Sequence, residues 1–376
     1  MKQQSYRNLI SGRSTGLVAE LLRFLLGTAA TGYSLIVKLR NFLYSKRWLE
    51  IHTANMLVIS IGNITTGGTG KTPLVIWLCN TINQKSKIKN QKCEVAILTR
   101  GYKTEQNYTD EPAILAESCP QAKVIINPDR VAAARLAVGA GANVLIMDDG
   151  FQHRRLYRDL DIVTIDATCP FGYGKLLPAG LLREPVASLK RADAAVLTRC
   201  DQISESELRQ LEKELHEINP DMIIAKSIHN PISAKSTTSE EITIKQLMDR
   251  KVFAFCGIGN PNAFLSTIKS IGVHLAGSKI YNDHYHYTSS DIDDIYEQAN
   301  RLGADFVLST QKDYTHCATL SGVAQEKTEG AMQYEIPFAY LAVEIKFIAG
   351  EDKLKQLIED SLAGKIHKKY GSTSSP

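Results

Sequence analysis

No C-x-x-C pair and no Cys/His cluster occurs in this 376-residue chain, so a structural zinc site or a thioredoxin-type redox centre has nothing to be built from. The seven cysteines, Cys79, Cys93, Cys119, Cys169, Cys200, Cys256 and Cys317, are widely spaced and lie mostly inside apolar runs. They read as buried free thiols in a reducing compartment. A small-residue cleavage site after a basic and then apolar stretch is also lacking, so secretion is not expected. There is no internal repeat and little net charge, a formal +4 overall. At 44% hydrophobic the chain has the composition of two ordinary globular domains.

The charge is uneven. Residues 1–50 hold eight Lys/Arg against two Asp/Glu, a local +6, whereas the rest of the chain sums to −2. Because this basic arm is interleaved with Leu, Ile, Val and Phe, it suits an anionic membrane surface better than nucleic acid. Leu17 to Trp48 reads as helix, yet its longest uncharged stretch, Phe24 to Val37, has 14 residues. That stretch rises about 21 Å, short of the roughly 30 Å hydrocarbon core. An amphipathic helix lying in the membrane interface is the expectation, with packing against the protein's own core as the alternative.

From 51 to 226, short apolar runs alternate with helical patterns, predicting a parallel sheet with helices on both faces. The expected strands are 56–62, 93–99, 123–127, 143–148, 161–166, 194–199 and 222–226. A polar stretch at 227–250 reads as a linker. A second, smaller α/β domain follows over 251–367, with strands at 251–257, 305–310 and 340–347 and helices near 262–271, 290–302 and 351–363. Residues 368–376 read as a frayed tail.

The fold class is thus α/β, and its first turn carries chemistry. Gly67-Gly68-Thr69-Gly70-Lys71-Thr72 stands between a strand-like and a helix-like run. Glycines let successive N–H groups face phosphate oxygens at a helix N-terminus, Lys71 would reach the β/γ-phosphates, and the Thr72 hydroxyl would ligate Mg²⁺. Strict loops of this type have Gly where Thr65 stands. The G-G-T-G-K-T ending resembles that of dimerising ATPases, but Thr66 replaces their second lysine.

Asp148 and Asp149 end another apolar run, at the ligand-binding edge of such a sheet, and are candidates for Mg²⁺. Asp110 and Glu111 are expected in a loop on the same edge. Arg183 could steady charge on a transferring phosphoryl group. His284 and His286, beside Asp283, could bind metal or carry protons. Thr198-Arg199-Cys200-Asp201 has the spacing, with Arg for Lys, by which guanine-reading proteins place an Asp.

Taken in order, Gly67–Pro73, Thr99-Arg100-Gly101-Tyr102, Asp110-Glu111-Pro112, Asp148-Asp149-Gly150-Phe151-Gln152-His153, Leu177-Pro178-Ala179-Gly180, Leu182-Arg183-Glu184-Pro185, Gly257–Pro261 and Asp283-His284 resemble the tetraacyldisaccharide 4′-kinase family of lipid A synthesis. Leu181 stands where that family usually has proline. The resemblance implies transfer of the γ-phosphate of ATP to the 4′-hydroxyl of a lipid disaccharide at the cytoplasmic face of the inner membrane. It implies that Thr65 to Thr72 hold nucleotide, with Lys71 and Thr72 at the phosphates and Mg²⁺, and that Asp148 and Asp149 serve the metal. It further implies Asp110 as the base for the sugar hydroxyl, His284 as that base's partner, and Arg183 and Arg130 as active-site arginines. No nucleic acid partner is expected. The competing class is a nucleotide-switched binding or chaperone ATPase/GTPase, best supported by Thr198–Asp201. A cytosolic small-metabolite kinase is the third, and it leaves the basic N-terminal helix unexplained.

Overall fold

Strands buried on both faces read as continuous apolar runs, and this property lays out most of the architecture. The computed structural model describes residues 3–88, 93–101, 110–236, 241–283, 285–318 and 336–364. Two helices come first, α1 (Gln3–Ile10) and α2 (Leu17–Ser45). An alternating series follows: β1 (Leu57–Gly62), α3 (Lys71–Ile88), β2 (Val95–Thr99), α4 (Asp110–Ser118), β3 (Lys123–Ile126), α5 (Arg130–Gly139), β4 (Val144–Asp148), β5 (Leu160–Asp166), β6 (Ala194–Thr198) and α6 (Glu205–Ile218). Next come β7 (Ile223–Ser236), β8 (Glu241–Thr243), α7 (Ile244–Leu247), β9 (Lys251–Cys256), α8 (Pro261–Ser270) and β10 (His274–Ile280). The chain then forms α9 (Ser289–Arg301), β11 (Phe306–Thr310), α10 (Gln311–Ala318), β12 (Phe338–Ala349) and α11 (Glu351–Leu362).

The chain divides into two compact units, Asn8–Ile228 with the segment from Phe347 onward, and Met1–Arg7 with His229–Lys346. In the first, strands run in the order β7-β6-β5-β1-β4-β2-β3, and every pairing is parallel. Alternation sorts their side chains to two faces. Val58, Ala96, Leu98, Leu145 and Met147 share a core with the Ala-rich inner side of α5. Ile59, Ile97 and Ile146 alternate with them and are equally buried. Farther along, Val163, Ile165, Ala195 and Leu197 pack on Leu208, Leu211 and Leu215 of α6.

In the second unit the order is β10-β9-β11-β12-β7, with β8 antiparallel on β7. Val252 and Ala254 of β9 face Ile268 and Ile271, at α8 and its C-terminal end. Phe253 and Phe255 face Ile292, Ile295 and Tyr296 of α9.

Several features differ from the sequence expectations. Asp110 and Glu111 open helix α4 rather than lying in a loop, since Asp-Glu-Pro is also an ordinary first helical turn. β10 lies outside the expected strands, because His274-Leu275-Ala276-Gly277-Ser278-Lys279-Ile280 is half polar and interrupted by glycine, as an edge strand permits. The stretch read as a linker at 227–250 contains the second half of β7 and all of β8 and α7. α11, expected in the smaller domain, groups with the first unit. There Trp77 of α3 stacks on Phe347 with centroids 4.8 Å apart and its indole N–H donates to Glu351.

Candidate active site

The first unit's ligand edge is built at the C-terminal ends of its parallel strands, from the strand ends themselves and the turns and helix starts that follow them. β1 is flanked by β4 and β5, so the turn leaving β1 has an acidic strand end on each side, Asp148 and Asp166. The turn is Asn63 to Gly70, with α3 beginning at Lys71. Gly67 and Gly70 hold φ of 112° and 86°, which side chains with a Cβ rarely adopt.

The turn is fastened from outside. Thr65 bridges to Leu182, and the Thr66 N–H donates to the Leu181 carbonyl at 2.8 Å. Within it, Asn63 Nδ2 donates to Thr69 Oγ1, which lies 2.7 Å from Thr164 Oγ1. Thr198 Oγ1 donates to the Thr69 carbonyl, and Arg199 Nη2 to the Gly68 carbonyl at 2.8 Å. Since a trans peptide points its C=O and N–H to opposite sides, holding the Thr69 carbonyl outward turns the Gly70 N–H inward. Arg199 is buried and pairs with Asp166 at 2.6 Å. Burial pulls its proton affinity down, and Asp166 works against that. Asp201 is exposed. The Thr198–Asp201 segment therefore braces the loop, and Arg199 is already engaged.

Lys71 Nζ is 3.4 Å from Asp149 Oδ1, and Arg183 Nη1 reaches both Asp149 oxygens at 2.9 and 3.1 Å. Arg183 also donates to Asn63 Oδ1. Burial alone would raise the Asp149 carboxyl, but the two cations outweigh it and hold the group well below the usual carboxylate range. Asp149 has a left-handed φ of 52°, conformational strain held where the charged groups converge.

Asp148 behaves oppositely. Burial, reinforced by Glu111, raises it to about 7 against the opposing pull of Lys71. Thr99 Oγ1 donates to it at 3.4 Å, at the edge of hydrogen-bonding distance. A desolvated carboxyl facing another acid is a place where a cation is favoured.

Arg130, buried at the start of α5, donates to the Asn127 and Asp148 carbonyls. It thereby secures the end of β4, an arrangement promoted by Asp129 capping α5. Thr72 is the second residue of α3. Asp110 is the first residue of α4, and its side chain lies outside the described residues. His284 also lies outside them. His286 is described, and its ring is 6.1 Å from that of His316.

Sequence reading gave Arg199 only as part of a guanine-reading spacing and Glu184 only as part of the Leu182–Pro185 block, and it did not single out Asp166 or Thr164. Glu184 had a signal, its place beside Arg183. Asp166 and Thr164 belong to β5, and their nearness to the glycine turn appears only when the sheet order is known.

The family model described as Tetraacyldisaccharide-1-P 4'-kinase matches residues 22–363. The tetraacyldisaccharide 4'-kinase of Halothermothrix orenii is 32% identical, over 83% of this chain and 88% of its own length. That of Geobacter metallireducens is 34% identical, over 79% and 89%. Among solved structures, the "apo" form LpxK from Aquifex aeolicus in complex with ATP is similar with a TM-score of 0.64 and 28% identity, over 90% of this chain and 99% of that one. The chain belongs to the tetraacyldisaccharide-1-phosphate 4′-kinase family.

Proposed function

We propose that this protein transfers the γ-phosphoryl group of ATP to the 4′-hydroxyl of a tetraacylated glucosamine disaccharide 1-phosphate, a step of lipid A biosynthesis. The observation that carries the reading is the convergence of Lys71 and Arg183 on Asp149 at the mouth of the glycine turn. Two cations sharing one carboxylate are placed to share a transferring phosphoryl group, whose negative charge they would offset.

The residues present suit Mg²⁺. Thr72, Asp148 and Asp149 would hold it, and the buried, proton-hungry Asp148 is the strongest indication. When bound there, Mg²⁺ would supply positive charge against the phosphate oxygens. The glycine turn, kept in shape by Arg199, Thr198 and Asn63, orients the phosphates through its N–H groups. Asp110, the first residue of α4, is proposed to accept the proton of the sugar hydroxyl, a role that rests on the sequence resemblance. His284 as partner of that base, and Arg130 as a nucleotide-binding residue, rest on the sequence resemblance.

α2 is proposed to hold the enzyme at the lipid surface, on the cytoplasmic face of the inner membrane. Its 29 residues are long and apolar enough to cross a membrane, and only 11% of the apolar window is buried. Leu17, Leu21, Phe24, Leu25, Leu35, Ile36 and Leu39 are exposed. Tyr33, Arg40 and Asn41, on its other side, bond protein groups, so that half of the helix stays against the enzyme. A helix lying along the interface satisfies both sides.

Acceptor dependence tests the activity. ATP consumption by the purified protein is expected to require the acylated disaccharide. Equal consumption without it would sink the reading and favour a nucleotide-switched ATPase.

A further inference from the structure

Glu184 carries a fully buried carboxylate, which is tolerated only when its charge and lone pairs are met. Two of its partners come from α2. Arg40 Nη2 donates to Oε1 at 3.0 Å and Asn41 Nδ2 to Oε2 at 3.1 Å, while Arg191 Nη2 lies 2.8 Å from Oε2. One residue earlier, the main chain of Arg183 is gripped on both sides. Its N–H donates to the Ile64 carbonyl at 2.7 Å, and its carbonyl accepts from the Tyr33 hydroxyl at 2.9 Å. Arg154 fixes this part of α2 in turn, donating to the Asn41 carbonyl and lying over the Tyr44 ring.

A bonded route therefore runs from α2 through Glu184 and the Arg183 main chain to Asp149 and Lys71. A guanidinium has a rigid fork and must be aimed to within a fraction of an ångström. What holds its backbone decides where it points. We propose that Tyr33, Arg40 and Asn41 make α2 a positioning element for Arg183, acting through the Arg183 carbonyl and the Glu184 carboxylate. The inference rests on the reading of Arg183 as the arginine at the reacting phosphate. The helix that presents an apolar side outward thus also sets the aim of a catalytic group.

The test uses the full-length enzyme in detergent and a double-mutant cycle. Tyr33→Phe with Arg40→Gln is measured in the native background and again with Arg183→Ala, with melting curves for each. In the native background kcat is expected to fall about tenfold, equivalent to about 1.4 kcal/mol, with KM for ATP unchanged. Arg40→Lys alone should restore most of the loss caused by Arg40→Gln. In the Arg183→Ala background the same pair should cause no further fall. An equal fall in both backgrounds would show that α2 acts on the fold and not through Arg183. An unchanged kcat in the native background, with Arg183→Ala inactive, would overturn the link while leaving the reading of Arg183 intact. Full activity of Arg183→Ala would remove Arg183 itself. If the pair does not fold, Tyr33→Phe, which deletes a single oxygen, carries the same comparison.

Discussion

Asp148 and Asp149 are adjacent in sequence and opposed in proton affinity, because one faces burial and Glu111 while the other lies between Lys71 and Arg183. The raised Asp148 has a consequence for stability. Its folded-state affinity lies near pH 7 and its unfolded one near 4, so the folded state binds the extra proton between those values. Stability from this group is present below pH 4 and is lost as pH rises towards 7. Asp148→Asn, which needs no proton, should gain Tm over the native enzyme as pH goes from 4 to 7, while losing activity. A Tm difference independent of pH would contradict the assignment. Arg199 gives a second prediction. Arg199→Met removes a charged donor to the Gly68 carbonyl and should raise KM for ATP on the order of tenfold, about 1.4 kcal/mol. An unchanged KM in a folded variant would show that the brace does not shape the turn.

The glycine turn, the doubled aspartate and Arg183 are visible in the sequence because each follows an apolar run or sits in a specific block. The pair Arg199–Asp166 is not, since its members are 33 positions apart and meet only because β5 and β6 are neighbours.

Elements were legible in proportion to their burial. β1, β2, β4, β5 and β6 have almost every residue buried and appear as unbroken apolar runs. β10 has no fully buried residue along its length, and α10 (Gln311-Lys312-Asp313-Tyr314-Thr315-His316-Cys317-Ala318) has too few apolar residues to show a period. Its Asp313 is nonetheless buried, accepting from Tyr287, Thr310 and the Gly257 N–H. For α2, the sequence shows the charges at both ends, whereas the helix is about twice the length of the uncharged stretch. Leu17→Glu, Leu21→Glu and Leu25→Glu together alter only exposed positions. They are expected to release the enzyme from membranes in sedimentation without lowering Tm. Continued sedimentation with membranes would remove α2 as the anchor. α4 carries a prediction about chemistry: Asp110→Ala should lower kcat by about 10²–10⁴, as loss of a general base does, with ATP affinity unchanged by titration. An unaltered kcat would take Asp110 out of the reaction.

At the scale of the whole molecule, the first unit contains the glycine turn, both aspartates, Arg183 and α2, and the second is a separately cored α/β body with its own parallel strands. A nucleotide-binding unit of this kind serves many reactions, so the fold alone does not select the acceptor. That choice is carried by membership of the kinase family. The central claim is therefore about where the phosphoryl group goes. With γ-labelled ATP, the full-length enzyme and an acylated glucosamine disaccharide 1-phosphate, the label is predicted in the lipid, as a monoester at the 4′ position. Label found only as inorganic phosphate, with the lipid unlabelled, would contradict the account.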